Sequence, residues 1–169
     1  PFSLPLKEYL FIPKMEPFDG LFGVFNDSLP DGWGRLLVDR LMLKNKINPS
    51  SLGNLERLSI VGDSGMGALS YKPTADMENN VISLDLDELC VECSNLLNTE
   101  YSSELDELFI LGGSSGGARP KILTTIEDKD YIIKFHSKED NKNIGKLEYV
   151  YSLCAKACGI EMPETRLFP

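Results

Sequence analysis

Between Gly112 and Gly159 the chain passes from a glycine-rich loop to alternating apolar residues and then to helical spacing. This succession limits the fold more than any other feature. The stretch "LGGSSGGARPKIL" holds four glycines, and "PKILTTIE" and "DYIIKFHS" then alternate with period two, as a pair of antiparallel strands joined by the polar turn "EDKD" would. Apolar residues at helical spacing follow from about Asn143 to Cys158, with Gly159 as the stop. Helix, loop, hairpin and helix in that order predict an α+β fold.

The preceding part of the chain reads as mixed α/β. Prolines at 1, 5, 13 and 17 with apolar residues between them predict edge strands and turns. In "NDSLPDGWGRLLVDRLMLK", Asp31 marks a helix start, and Trp33, Leu36, Leu37, Arg40, Leu41 and Lys44 follow at helical spacing. "INPSSLGNLERLSIVG" predicts a turn and a short helix stopped by Gly62. "GDSGMGALSYKP" reads as a tight turn ahead of a strand from Ala68 to Lys72. Helices are expected over Asp85 to Leu97 and Ser103 to Ile110, the second with "SSEL" as a capping pattern and Gly112–Gly113 as its stop. "PETRLF" reads as a further strand. No internal repeat is present.

The 169 residues suffice for one domain or two small ones, and no apolar run approaches the roughly 18–20 residues that cross a bilayer. Both ends read as cut, so a fragment is expected. A net charge of −9 argues against binding nucleic acid or anionic membrane. The segment from Arg119 to Lys146 nevertheless carries +2, directly after the glycine-rich loop, where a polyphosphate would need it. The four cysteines form two close pairs, Cys90/Cys93 and Cys154/Cys158, a spacing that invites zinc. Both pairs lie in amphipathic helical stretches, where i,i+3 and i,i+4 put the thiols on one apolar face. The expectation is therefore no metal site.

A Walker-type loop needs G-x-x-x-x-G-K-[ST] and a following helix, which this chain lacks. A glycine-rich loop ahead of a hairpin has another use, as a flap over nucleotide phosphates. A strand lysine would reach the α- and β-phosphates, and a glutamate on the next helix would hold it. Lys134 in "YIIKFHS" and Glu148 in "GKLEYVYSLCAKACGI" stand in that order. Taken as buried in an apolar strand, Lys134 would need a partner. Leu147, Val150, Tyr151, Cys154 and Cys158 would mark the buried side of the helix, with Glu148 at its border. Each feature has a plainer reading: a linker, a solvated strand lysine, a surface glutamate. "SLPDGWGR" shows no chemistry of its own; Trp33, Arg35 and Asp39 read as a helix start with a buried indole and local ion pairs. Arg119 approaches phosphate or merely flanks the strand.

"LFGVFNDSLPDGWGRLLVDR", "SIVGDSGMGALSY", "GGSSGGARPK", "YIIKF" and "LEYVYSLCAKACGIEMPETRLF" together resemble the N-terminal half of HipA-like serine/threonine kinases, toxins of bacterial toxin–antitoxin modules. The resemblance covers nearly the whole chain. It implies an N-terminal subdomain over residues 1–100 and a kinase-like small lobe of antiparallel strands and a helix over 101–169. It also implies a bacterial cytoplasmic setting, ATP and Mg²⁺ as cofactors, and a HipB-like antitoxin and a protein substrate as partners. Gly113, Ser114, Ser115, Gly116, Gly117, Ala118 and Lys121 would cover ATP, Lys134 would hold its phosphates and Glu148 would orient Lys134. A loop serine, Ser114 or Ser115, falls where the family can carry autophosphorylation. The catalytic and metal-binding residues of the large lobe have no counterpart here, so the chain alone is expected to be inactive. The other readings are a non-catalytic module that binds an antitoxin or a split kinase partner, and a zinc-stabilised domain.

Overall fold

The computed structural model describes residues 4–65, 67–75, 85–98, 105–113, 115–137 and 139–168. The described residues form six α-helices, one 3₁₀ turn and a two-stranded antiparallel sheet, an α+β composition. The chain divides into two compact units. One comprises Pro1–Ser83 with Glu104–Ala118, and the other Leu84–Ser103 with Arg119–Pro169.

The first unit is built on α2 (Gly32–Lys44), which follows a single turn of helix, α1 (Gly23–Asn26). The inward face of α2 carries Trp33, Leu37, Val38, Leu41 and Met42, all buried, and the indole is 1% exposed. A 3₁₀ turn over Pro49–Ser51 leads to α3 (Asn54–Val61), where Gly62 stops the helix at φ 51°. Phe109 of α5 (Leu105–Gly112) packs with Leu52 and Ile60 on the Val38–Leu41–Met42 cluster. Polar pins hold the outer side. Lys44 meets Asp106 at 2.7 Å, and Arg57 donates to Asp39 at 3.1 Å and to the Pro49 carbonyl at 2.9 Å. Asp39 also faces Arg35 at 3.7 Å, the local ion pair expected one helical turn apart.

In the second unit α4 (Leu86–Leu97) opens with a full capping box, in which Asp85 accepts from the Glu88 amide and Glu88 accepts from the Asp85 amide. Strands β1 (Lys121–Ile126) and β2 (Lys129–Lys134) pair from Lys121↔Lys134 to Ile126↔Lys129. The connecting residues Glu127 and Asp128 have φ of 52° and 60°, the left-handed pair that a two-residue hairpin turn requires. Helix α6 (Ile144–Ala157) ends at Cys158, and Gly159 follows at φ 80°.

Several expectations fail. No strand forms among described residues 4–17, 67–72 or 163–168. Leu6, Tyr9, Leu10 and Ile12 are exposed, so the N-terminal alternation finds no sheet to join. The loop after α3 is instead tied by single bonds, Tyr71 N–H to the Gly62 carbonyl at 3.0 Å and Tyr71 Oη to Ser28 Oγ at 2.7 Å. "PETRLF" meets the hairpin through side chains, Lys129–Glu164 at 2.8 Å and Arg166–Glu127 at 3.6 Å, without a backbone ladder. Helix α5 runs two residues beyond Ile110, and Ser102–Glu104 of its capping pattern lie outside the described residues.

Candidate functional site

The glycine-rich loop grows out of the end of α5 in the first unit. Its backbone is fastened to the start of α2. Asp31 occupies the N-cap position of α2, yet its side chain caps no amide of its own helix. Its Oδ1 accepts instead from the Gly117 N–H at 2.6 Å, and the Trp33 N–H donates to the Gly117 carbonyl at 2.8 Å. This approach needs the two glycines of "DGWG". A Cβ at Gly32 would fall on the Gly117 carbonyl, and one at Gly34 on the carbonyls of Ser115 and Gly113. Gly32 also adopts φ 45° and Gly117 φ 82°, conformations that glycine tolerates without strain. "SLPDGWGR", which shows no chemistry in the sequence, is the seat of the glycine-rich loop.

The seat determines what the loop amides do. Gly113 N–H donates to the Phe109 carbonyl at 2.7 Å and Ser115 N–H to the Gly112 carbonyl at 3.0 Å, while Gly117 N–H is held by Asp31. Ser115 is 1% exposed, and its hydroxyl donates to the Gly112 carbonyl. Gly116, Gly117 and Ala118 are exposed. Ser114 lies outside the described residues.

The second unit holds the charged cluster. Lys134 Nζ donates to Glu148 Oε2 at 2.8 Å, joining β2 to α6. Arg119 donates from Nη1 to Glu148 Oε1 at 2.7 Å and from Nη2 to Asp140 Oδ1 at 3.0 Å. Asp140 Oδ2 in turn accepts from the Ser137 amide at 3.0 Å. The hydrogen bond from Lys134, with its charge and that of Arg119, lowers the Glu148 carboxyl below its ordinary value. The Asp140 carboxyl is lowered chiefly by the Ser137 amide, with Arg119 adding to it. Lys121 lies opposite Lys134 in the ladder, so the cluster places cations on neighbouring strands.

Two details differ from expectation. The Lys134 side chain is 53% exposed, because Ile133 and Phe135 point to the buried face and Lys134 to the other. An apolar run in a strand therefore did not bury its lysine. On α6, Leu147, Val150, Tyr151 and Cys154 are exposed, as is Cys158 just beyond it, while the sheltered positions are Ile144, Glu148, Tyr149, Ser152 and Ala155. Ser152 is buried, with its hydroxyl 2.8 Å from that of Thr165. Sequence reasoning missed Asp140 and the double use of Glu148; an acidic residue in "HSKED" carries no signal of either.

Lys134 suits a phosphate ligand, being accessible, cationic and held in place by Glu148. The loop suits one less directly, since three of its amides already have acceptors. Among the described residues no group of three or more His, Cys, Asp and Glu side chains could hold a metal ion, and no helix is long and apolar enough to cross a membrane.

Residues 2–72 match the HipA N-terminal domain, and residues 113–169 match the HipA-like C-terminal domain. No curated protein and no solved structure gives a significant match. The two domain matches follow one another in the order their names state, the second opening at Gly113 of the glycine-rich loop, and on that ground the chain belongs to the HipA-like family.

Proposed function

We propose that this chain is the nucleotide-binding portion of a HipA-like serine/threonine kinase with a kinase-like small lobe. The whole protein would transfer the γ-phosphoryl of ATP to a protein hydroxyl, as the toxin of a toxin–antitoxin pair with a HipB-like antitoxin. The observation that carries this reading is the Lys134–Glu148 pair, which fixes an accessible ammonium on a strand that follows a glycine-rich loop in the sequence. In this reading Lys134 holds ATP phosphates, Glu148 orients it, and the backbone from Gly113 to Ala118, with Lys121 beyond it, covers the nucleotide. ATP with Mg²⁺ would supply the phosphoryl group. A bacterial cytoplasmic setting follows from the same reading.

The test is ATP/Mg²⁺ titration and phosphotransfer, run in parallel on the 169 residues and on the longest reading frame that contains them. Binding should be weakened at least about tenfold by Lys134→Ala, the loss of one charge-assisted contact. Unchanged affinity in that variant sinks the assignment. A second reading, a non-catalytic module that binds a partner protein, is favoured by the exposed apolar row Leu147, Val150, Tyr151 and Leu153 on α6. It predicts partner capture without any ATP dependence.

A further inference from the structure

We infer that the Asp31 carboxylate is a built-in occupant of the glycine-rich loop, holding the Gly117 amide that a ligand phosphate would otherwise take. The inference rests on the nucleotide reading above and deepens it, by naming a residue outside the loop that sets how tightly the loop binds.

Three observations within the first unit carry it. The Asp31 Oδ1 to Gly117 N distance of 2.6 Å is short even for an amide donating to a charged acceptor. A Cβ at Gly116 would come within 2.9 Å of the same oxygen, so the carboxylate lies directly against the loop backbone. Asp31 also stands where a helix N-cap normally serves its own helix, and it does not do so. The carboxylate is turned from the helix to the loop, and the Trp33 N–H donates to the carbonyl of the same glycine, Gly117.

Backbone amides in a glycine-rich loop form an anion-binding concavity only while they are available. An amide that already donates to a carboxylate cannot donate equally to a phosphate, and the two anions repel. Phosphate binding at Gly117 therefore requires Asp31 to withdraw. The observed affinity is the intrinsic one reduced by the fraction of molecules in which it has done so. Asp31 is thus a positioning residue that weakens binding. A residue that preorganised the loop for phosphate would have the opposite effect on mutation.

The test uses the longest reading frame containing the chain, with ATP titration and hydrogen exchange of the peptide 113–118. Asp31→Ala should speed exchange of the loop and tighten ATP binding about tenfold, the worth of one charge-assisted hydrogen bond no longer displaced. Asp31→Asn, similar in shape but uncharged, should tighten it by a few fold and serves if the alanine variant fails to fold. Equal or weaker ATP binding in the folded variants, with Lys134→Ala still reducing affinity, overturns the role of Asp31 and leaves the nucleotide reading standing. ATP affinity that is absent, or indifferent to Lys134→Ala in every background, overturns the nucleotide reading and this inference with it.

Discussion

Lys134 shares Glu148 with Arg119: the ammonium takes Oε2 at 2.8 Å and the guanidinium takes Oε1 at 2.7 Å. One carboxylate thereby restrains a strand cation and a cation at the head of the hairpin. Glu148→Gln removes the counter-charge of Lys134 and leaves Arg119 paired with Asp140 alone. The Glu148 side chain is 38% exposed, so solvent screens the pairs and the stability cost should stay at or below about 1 kcal/mol. Urea unfolding measures this. In the nucleotide reading the same variant loses ATP affinity by more than that small stability cost would explain. A loss of several kcal/mol in stability would instead make Glu148 chiefly a structural residue.

The pH dependence follows from the direction of the carboxyl shifts. Glu148 and Asp140 are both lowered from ordinary values of 4.5 and 3.8, so the folded state binds fewer protons than the unfolded chain in acid. Their contribution is fully present above those ordinary values and is lost as pH falls through the lowered folded ones. Unfolding midpoints measured from pH 7 to pH 3 should fall most steeply below about pH 4.5. The Glu148→Gln curve should be flatter there. Parallel curves for the two proteins would contradict the shift assigned to Glu148.

Two glycines in helices should respond to alanine with opposite signs. Gly34 lies in α2, where alanine would ordinarily favour the helix, but its Cβ would collide with the backbone carbonyls of Ser115 and Gly113. Overpacking against backbone outweighs propensity, so Gly34→Ala should destabilise by about 1–3 kcal/mol and loosen the glycine-rich loop. Gly145, in the first turn of α6, has open space where its Cβ would stand. Gly145→Ala should stabilise by up to about 1 kcal/mol. Thermal unfolding of the two variants checks both signs, and stabilisation by Gly34→Ala would refute the seat described for the loop.

The sequence disclosed the elements whose signals are local. The hairpin follows from alternation and a polar turn, α3 from its glycine stop, and the Lys134–Glu148 pair from order along the chain. It did not disclose why "DGWG" contains two glycines. That reason is the approach of a loop more than eighty residues further on, and spacing within one segment carries no trace of such a contact. The exposed side of α6 was missed for a related reason. Apolar residues at helical spacing show that a face can be buried, and they do not say that this chain buries it. The apolar sequence neighbours of Lys134 suggest burial, but neighbours in a strand point to opposite faces.

The cysteines give a prediction that also bears on the zinc reading. Cys93 is buried in α4, and burial pushes its thiol well above the usual range, with Cys90 and Glu92 adding to the shift. Cys90 is partly exposed and pushed up by burial and by the charge of Asp87. Cys154, in α6, and Cys158, at its end, are both exposed. Because the thiolate is the reactive form, alkylation at neutral pH should label Cys154 and Cys158 first, Cys90 more slowly and Cys93 last. Mass spectrometry of a timed iodoacetamide reaction reads that order. Added zinc should leave it unchanged, since a buried, neutral Cys93 thiol is a poor ligand and Cys90 and Cys93 lie on a regular helix rather than in a turn. Zinc protection of all four thiols together would restore the metal-stabilised reading and displace the helical one.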